Sequence, residues 1–167
     1  LAAPCRLLAS RVPKISTLRS AREVLEAHQQ HAENMAPMDV SACWNTLGRL
    51  ARRERHERRW LSDQREALRP LVATTLSKLA RESFGPQPIA NTTHGLGVLR
   101  DAVGFDPGEA AWERLAEAAV ARVGEFTEQA LTNTVWAYAT AGHAAPALFD
   151  AVAEVAPPRL GEFTEQA

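Results

Sequence analysis

Apolar positions recur along this chain at helical rather than strand spacing. After Asp39, a plausible N-cap, Val40, Cys43, Trp44, Leu47 and Leu50 follow at intervals of three and four, predicting a helix over about 39–53 that runs on through a charged stretch to Arg59. Ser62 or Asp63 opens a second, with Leu68, Leu71, Val72, Leu76 and Leu79 inward and Pro70 kinking or restarting it. A third runs from Pro88 to about Val103, where Gly104 ends it. Asp106-Pro107 caps a fourth, with Ala111, Leu115, Ala118, Ala119 and Val123 on its apolar face and Gly124 as its stop. Thr127 caps a fifth that reaches Ala141 before Gly142, and Pro146 opens a sixth to about Val155, ended by Pro157-Pro158. Upstream, Ile15, Leu18, Val24 and Leu25 predict an amphipathic helix over about 17–32. No segment alternates with the period of a strand, so the expected class is all-α.

A repeat organises these helices. Gly124-Glu125-Phe126-Thr127-Glu128-Gln129-Ala130 returns unchanged as residues 161–167, a displacement of 37 residues. An Asn-Thr pair extends the pattern backwards, at Asn133-Thr134, Asn91-Thr92 and Asn45-Thr46, with intervals of 42 and 46 residues. One helical hairpin per unit, with loop insertions of different length, accounts for these spacings. The predicted architecture is therefore an α-solenoid of stacked helical hairpins repeating every 37–46 residues, covering 15–167 and expected to continue beyond Ala167. Residues 1–14 read as a basic arm or the remnant of a transit peptide. The first 22 positions hold Arg6, Arg11, Lys14, Arg19 and Arg22 with several serines and no acidic residue.

Composition narrows the class further. At 167 residues with 46% hydrophobic and 23% charged positions, the chain can bury a core and is no disordered tail, and no apolar run approaches the ~18 residues of a membrane span. Its 31 alanines, against 5 Phe and 1 Tyr, suit closely packed helices. Two cysteines, Cys5 and Cys43, exclude a disulfide scaffold and a four-cysteine zinc site. Net charge is −1, but residues 1–81 carry 15 Lys+Arg against 8 Asp+Glu, and residues 82–167 carry 4 against 12. Arg outnumbers Lys 17 to 2, which favours planar contacts with phosphates and bases; GC-rich codon usage produces the same excess.

Those residues carry a resemblance. The segments from Val40 to Arg53, from Ile89 to Val103 and especially Leu131-Thr132-Asn133-Thr134-Val135-Trp136-Ala137-Tyr138-Ala139-Thr140-Ala141-Gly142 resemble the second helix of octotricopeptide repeats, which reads roughly Leu-Ala-Asn-x-x-Trp-Ala-x-Ala-x-x-Gly. Trp112 to Phe126 resembles the first helix of that repeat and its Phe-Thr junction. Gly48 and His94 stand where the motif has Trp, as at Trp136. Ile15 to Leu50 is similar to the entry segment of FAST kinase-like and RAP-domain proteins. The resemblance implies an RNA-binding protein of the mitochondrion or chloroplast that acts in transcript stabilisation, processing, translation or ribosome assembly on single-stranded or structured organellar RNA. Independently of the resemblance, no catalytic motif is found, so neither enzyme activity nor a cofactor is expected.

The residues themselves suggest where RNA would bind. Arg52, Arg53, Arg55, Arg58 and Arg59 fall within eight positions beside Trp60 and are followed by Arg65 and Arg69. On one continuous helix Arg52, Arg55 and Arg59 share a face, giving either a phosphate-gripping stripe or a solvated surface with Glu54 and Arg58 paired. Asn45, Asn91 and Asn133 lie within the most apolar helix of each unit, where an amide either touches a base edge or, more in keeping with burial, bonds backbone across the hairpin. Trp44 and Trp136 lie on apolar stripes and are expected in the core as repeat anchors, along with those asparagines. The acidic stretch Asp106, Glu109, Glu113 and Glu117 repels phosphate and points to a protein partner at that end. His28 and His31, three apart and with Cys43 nearby in sequence, fall short of a metal site for want of a further ligand pattern, and no phosphate loop or nucleophile motif is present. The rival reading is a protein-binding scaffold of the armadillo or HEAT kind without RNA contact.

Overall fold

The computed structural model describes residues 11–81 and 84–156, and within them the chain is all-helical with no strand. After a 3-10 turn at Ile15–Thr17, the helices are α1 (Ala21–His31), α2 (Pro37–Arg53), α3 (Arg55–Asp63), α4 (Arg69–Arg81), α5 (Pro86–Val103), α6 (Glu109–Val120), α7 (Glu128–Ala141) and α8 (Pro146–Val155). The second copy of the seven-residue repeat, Pro157-Pro158 and most of the basic arm lie outside the described residues.

Local chemistry sets several boundaries where the pattern predicts them. The Thr127 hydroxyl accepts from the Ala130 amide at the start of α7, and Gly142 ends that helix at φ 67°. Gly104 ends α5 in the same left-handed conformation, and Pro146 opens α8. Other boundaries move. Ser20 caps α1, whose first turn begins four residues later than the amphipathic pattern suggests, and α6 starts at Glu109 after Gly108 rather than at Asp106-Pro107.

The helix expected to run from about 39 to Arg59 is broken at Glu54, which adopts φ −111° and ψ 111°. No proline or glycine causes the break. Arg58 turns back so that its guanidinium donates to the Ala51 and Arg52 carbonyls at 2.8 and 2.9 Å, satisfying acceptors left open at the end of α2. Beside it the buried Glu57 carboxylate accepts from the Ala21 amide at 2.8 Å, at the start of α1. Three hydrogen bonds made by these two side chains thus accompany the break. The expected Glu54–Arg58 pair is absent, and α3 lies within the 46-residue interval, so the extra length there is a helix rather than the loop insertion expected.

Packing brings the Asn-Thr helices together. The middle helix α5 lies between α2 and α7 and contacts both, while α4, α6 and α8 contact one another in turn and α1 reaches α4. Backbone approach in the first row is close enough to require glycine. A Cβ on Gly95 would lie 2.5 Å from the Trp44 carbonyl carbon, and one on Gly97 would lie 2.7 Å from Ala137 Cβ. Aromatic anchors tie the two rows. Trp44 is fully buried, its indole donates to the Thr75 hydroxyl at 2.9 Å, and its ring stacks with Phe105 at 6.1 Å. Likewise the Tyr138 hydroxyl donates to the Trp112 carbonyl at 2.7 Å, with the two rings edge to face.

Candidate nucleic-acid interface

Equivalent turns of α2, α5 and α7 face one groove of about 570 Å³. Asn45, Asn91 and Asn133 line it together, with Gln87, Gln129 and His94. The spacing explains the convergence: Gln87 and Gln129 stand four residues before Asn91 and Asn133, and Gly48, His94 and Trp136 stand three after the three asparagines. Positions four before and three after share a helix face. Because the glycine contacts hold the three helices closely side by side, these faces adjoin. That register could have been read from the sequence, and it identifies Gln87, Gln129 and His94, which residue type alone did not single out.

The asparagines do not make the expected bonds across the hairpin. Asn45 is exposed, Asn91 and Asn133 are partly buried, and among the described residues none of their side chains hydrogen-bonds to a neighbouring helix. Their amides open to the groove because the companion threonines take the inward positions, with Thr46, Thr92 and Thr134 buried. Trp136 departs from expectation in the same way. Rather than joining the core with Trp44, it is partly buried, its ring 5.3 Å from that of the groove residue His94 and its centroid 5.4 Å from the Arg52 guanidinium. Burial, then the Arg52 charge, lowers the His94 pKa, and its Nδ1 is buried with no partner among the described residues.

A second hollow, of about 230 Å³, adjoins the same face at the end of α2, lined by Asn45, Gly48, Arg49, Arg52, Arg53 and His94. Gly48, at the position held by His94 and Trp136 on the other two helices, lies close against α5, where a Cβ would sit 3.2 Å from Val98 Cβ and 3.3 Å from the Gly95 carbonyl oxygen. Arg49 reaches the Leu18 carbonyl at 3.4 Å, while Arg53 is exposed.

The remaining arginines separate into distinct groups. The kink at Glu54 places Arg52 on α2 and Arg55 and Arg59 on α3, so they form no continuous stripe along one helix. Arg55 and Arg59 are exposed and make no hydrogen bond or ion pair among the described residues. Arg58 caps α2. Arg65 donates to the Ser62 carbonyl at 2.9 Å, and Arg69 donates to the Asp106 carbonyl at 2.9 Å and lies over the Phe105 ring. Trp60 is partly buried beneath Arg22, whose guanidinium lies 5.6 Å from its centroid.

Several acidic side chains near the other end are paired, Asp106 with Arg100 at 3.0 Å, Glu117 with Arg114 at 3.1 Å and Glu125 with Arg122 at 3.0 Å. Among the described residues no three His, Cys, Asp or Glu side chains are grouped to hold a metal ion. His28 instead contacts the Thr74 hydroxyl at 2.9 Å, and the Cys43 thiol is buried, its pKa pushed up to about 12 by desolvation and by Asp39. No described helix is long and apolar enough to cross a membrane.

No family model, curated protein or solved structure matches this chain.

Proposed function

We propose that this chain is an RNA-binding helical-repeat protein of the mitochondrion or chloroplast, acting in post-transcriptional RNA metabolism. On this reading its helix pairs form an α-solenoid of the octotricopeptide kind, and its work is binding rather than catalysis. The observation that carries the reading is the groove along α2, α5 and α7. It combines carboxamides that can meet base or sugar groups, the planar His94, against which the Trp136 ring packs, and Arg49, Arg52 and Arg53 at one end. Single-stranded RNA offers matching edges, flat faces and phosphates together, whereas a duplex hides most of its base edges.

The test is affinity for single-stranded and duplex RNA over a range of salt. The expected result is tighter single-strand binding that weakens steeply with salt. Replacing Arg49, Arg52 and Arg53 by Gln should flatten the slope of log K against log salt by about 2, if all three meet phosphate. Absence of binding at low salt hands the chain to the scaffold reading. A separate cleft between α6 and α8, with Glu113 and Glu117 beside Val120 and Leu148, supports a protein contact at the acidic end.

A further inference from the structure

Three helices bring the same residue to the groove, although the neighbouring positions differ. The positions three residues after Asn45, Asn91 and Asn133 are Gly, His and Trp. A reader that repeats unchanged suits a feature that repeats along its ligand, while variable neighbours suit features that vary. In a nucleic acid the bases vary and the sugar and phosphate recur.

The lining of the groove separates those two recurring groups. Its titratable members are the partly buried His94, whose lowered pKa favours the neutral ring, and Glu125, which is held by Arg122; none of its lining residues is Lys or Arg. A phosphate only accepts hydrogen bonds and carries charge, so it is better met by Arg49, Arg52 and Arg53 in the adjoining hollow. A carboxamide both donates and accepts, as does a ribose 2′-hydroxyl. The Asn45, Asn91 and Asn133 amides have these capacities free, since none is engaged by another helix among the described residues.

We propose that Asn45, Asn91 and Asn133 form a ribose ladder, each amide exchanging hydrogen bonds with a 2′-hydroxyl of a single strand, so that the groove distinguishes RNA from DNA with little regard to base sequence. This rests on the nucleic-acid reading above and adds to it the group that is recognised. Gln87 and Gln129, one turn earlier on α5 and α7, extend the polar lining of that track.

The experiment measures binding of fluorescently labelled single strands of one sequence by anisotropy at fixed salt, using the full chain. The strands are RNA, DNA and 2′-fluoro RNA, the last keeping the ribose pucker but lacking the hydroxyl donor. RNA is expected to bind about tenfold or more tighter than DNA, with 2′-fluoro RNA close to DNA. Replacing all three asparagines by Ala should bring RNA affinity down to that of DNA while DNA binding stays unchanged. Because Asn91 and Asn133 are partly buried, Asn91→Asp serves as a volume-conserving variant, and it should narrow the RNA to DNA ratio by itself.

Equal affinity for RNA and DNA overturns the ladder and leaves the nucleic-acid reading standing. So does 2′-fluoro RNA binding like RNA, or a preference that survives the triple substitution. Binding to neither strand overturns both readings.

Discussion

Burial lowers the pKa of two imidazoles, His28 on α1 and His94 on α5, with the Arg52 charge adding to the effect at His94. The folded chain therefore holds both rings neutral at a pH where the unfolded chain, titrating near 6.5, takes up protons. Stability from this source is fully present above about pH 6.5 and is lost as the pH falls below it. Urea midpoints measured at pH 7.5 and 5.5 should fall towards acid, and a His28→Gln, His94→Gln double variant should show a smaller fall. An identical fall in the variant would assign acid sensitivity to other groups. Trp44 on α2 and Trp136 on α7 give a second prediction at this scale. Trp44→Ala should cost roughly 3–5 kcal/mol in urea unfolding, because the ring is fully buried and its indole is bonded to Thr75. Trp136→Ala should cost only about 1–2 kcal/mol, since its ring is only partly buried. Equal losses would place both rings in the core. Hydropathy could not separate them because α7 is apolar around most of its circumference, so its period does not mark the open face.

Arginine 58 makes the break between α2 and α3 a matter of tertiary bonding rather than helix propensity. Arg58→Met should destabilise the chain by about 1–2 kcal/mol through the two carbonyls it leaves open, whereas Arg59→Met, at an exposed side chain without a partner among the described residues, should stay within about 0.5 kcal/mol. Similar values for the two variants would remove Arg58 from its capping role. Gly95 supplies a sign reversal. Within a helix Gly→Ala ordinarily gains about 1 kcal/mol, but here the new methyl would press on the Trp44 backbone, and a loss of about 1–3 kcal/mol is expected in the same assay. The ends of α5 and α7 and the start of α8 were legible because Gly104, Thr127, Gly142 and Pro146 act on their own turns. The kink at Glu54 was not legible, since Glu57 bonds the start of a helix 36 residues away. The Asn-Thr repeat located the groove helices, but the side to which the amides open depends on which face the partner helices cover.

Across the whole molecule, charge and helix order act together. Arg49, Arg52 and Arg53 stand at one end of the shared face, while Glu113 and Glu117 of α6 line the cleft with α8 and Glu117 is paired with Arg114. A strand lying along α2, α5 and α7 would meet guanidinium groups first and carboxamides beyond them, whereas Arg55 and Arg59 of α3 line neither hollow. Photo-crosslinking of single-stranded RNA carrying 4-thiouridine at each position in turn, with the attached peptides mapped by mass spectrometry, tests that arrangement most directly. Crosslinks should fall within 45–53 on α2, 87–98 on α5 and 129–136 on α7, at successive positions along the strand. Crosslinks confined to Arg55 and Arg59 on α3, or to α6 and α8, would contradict the account.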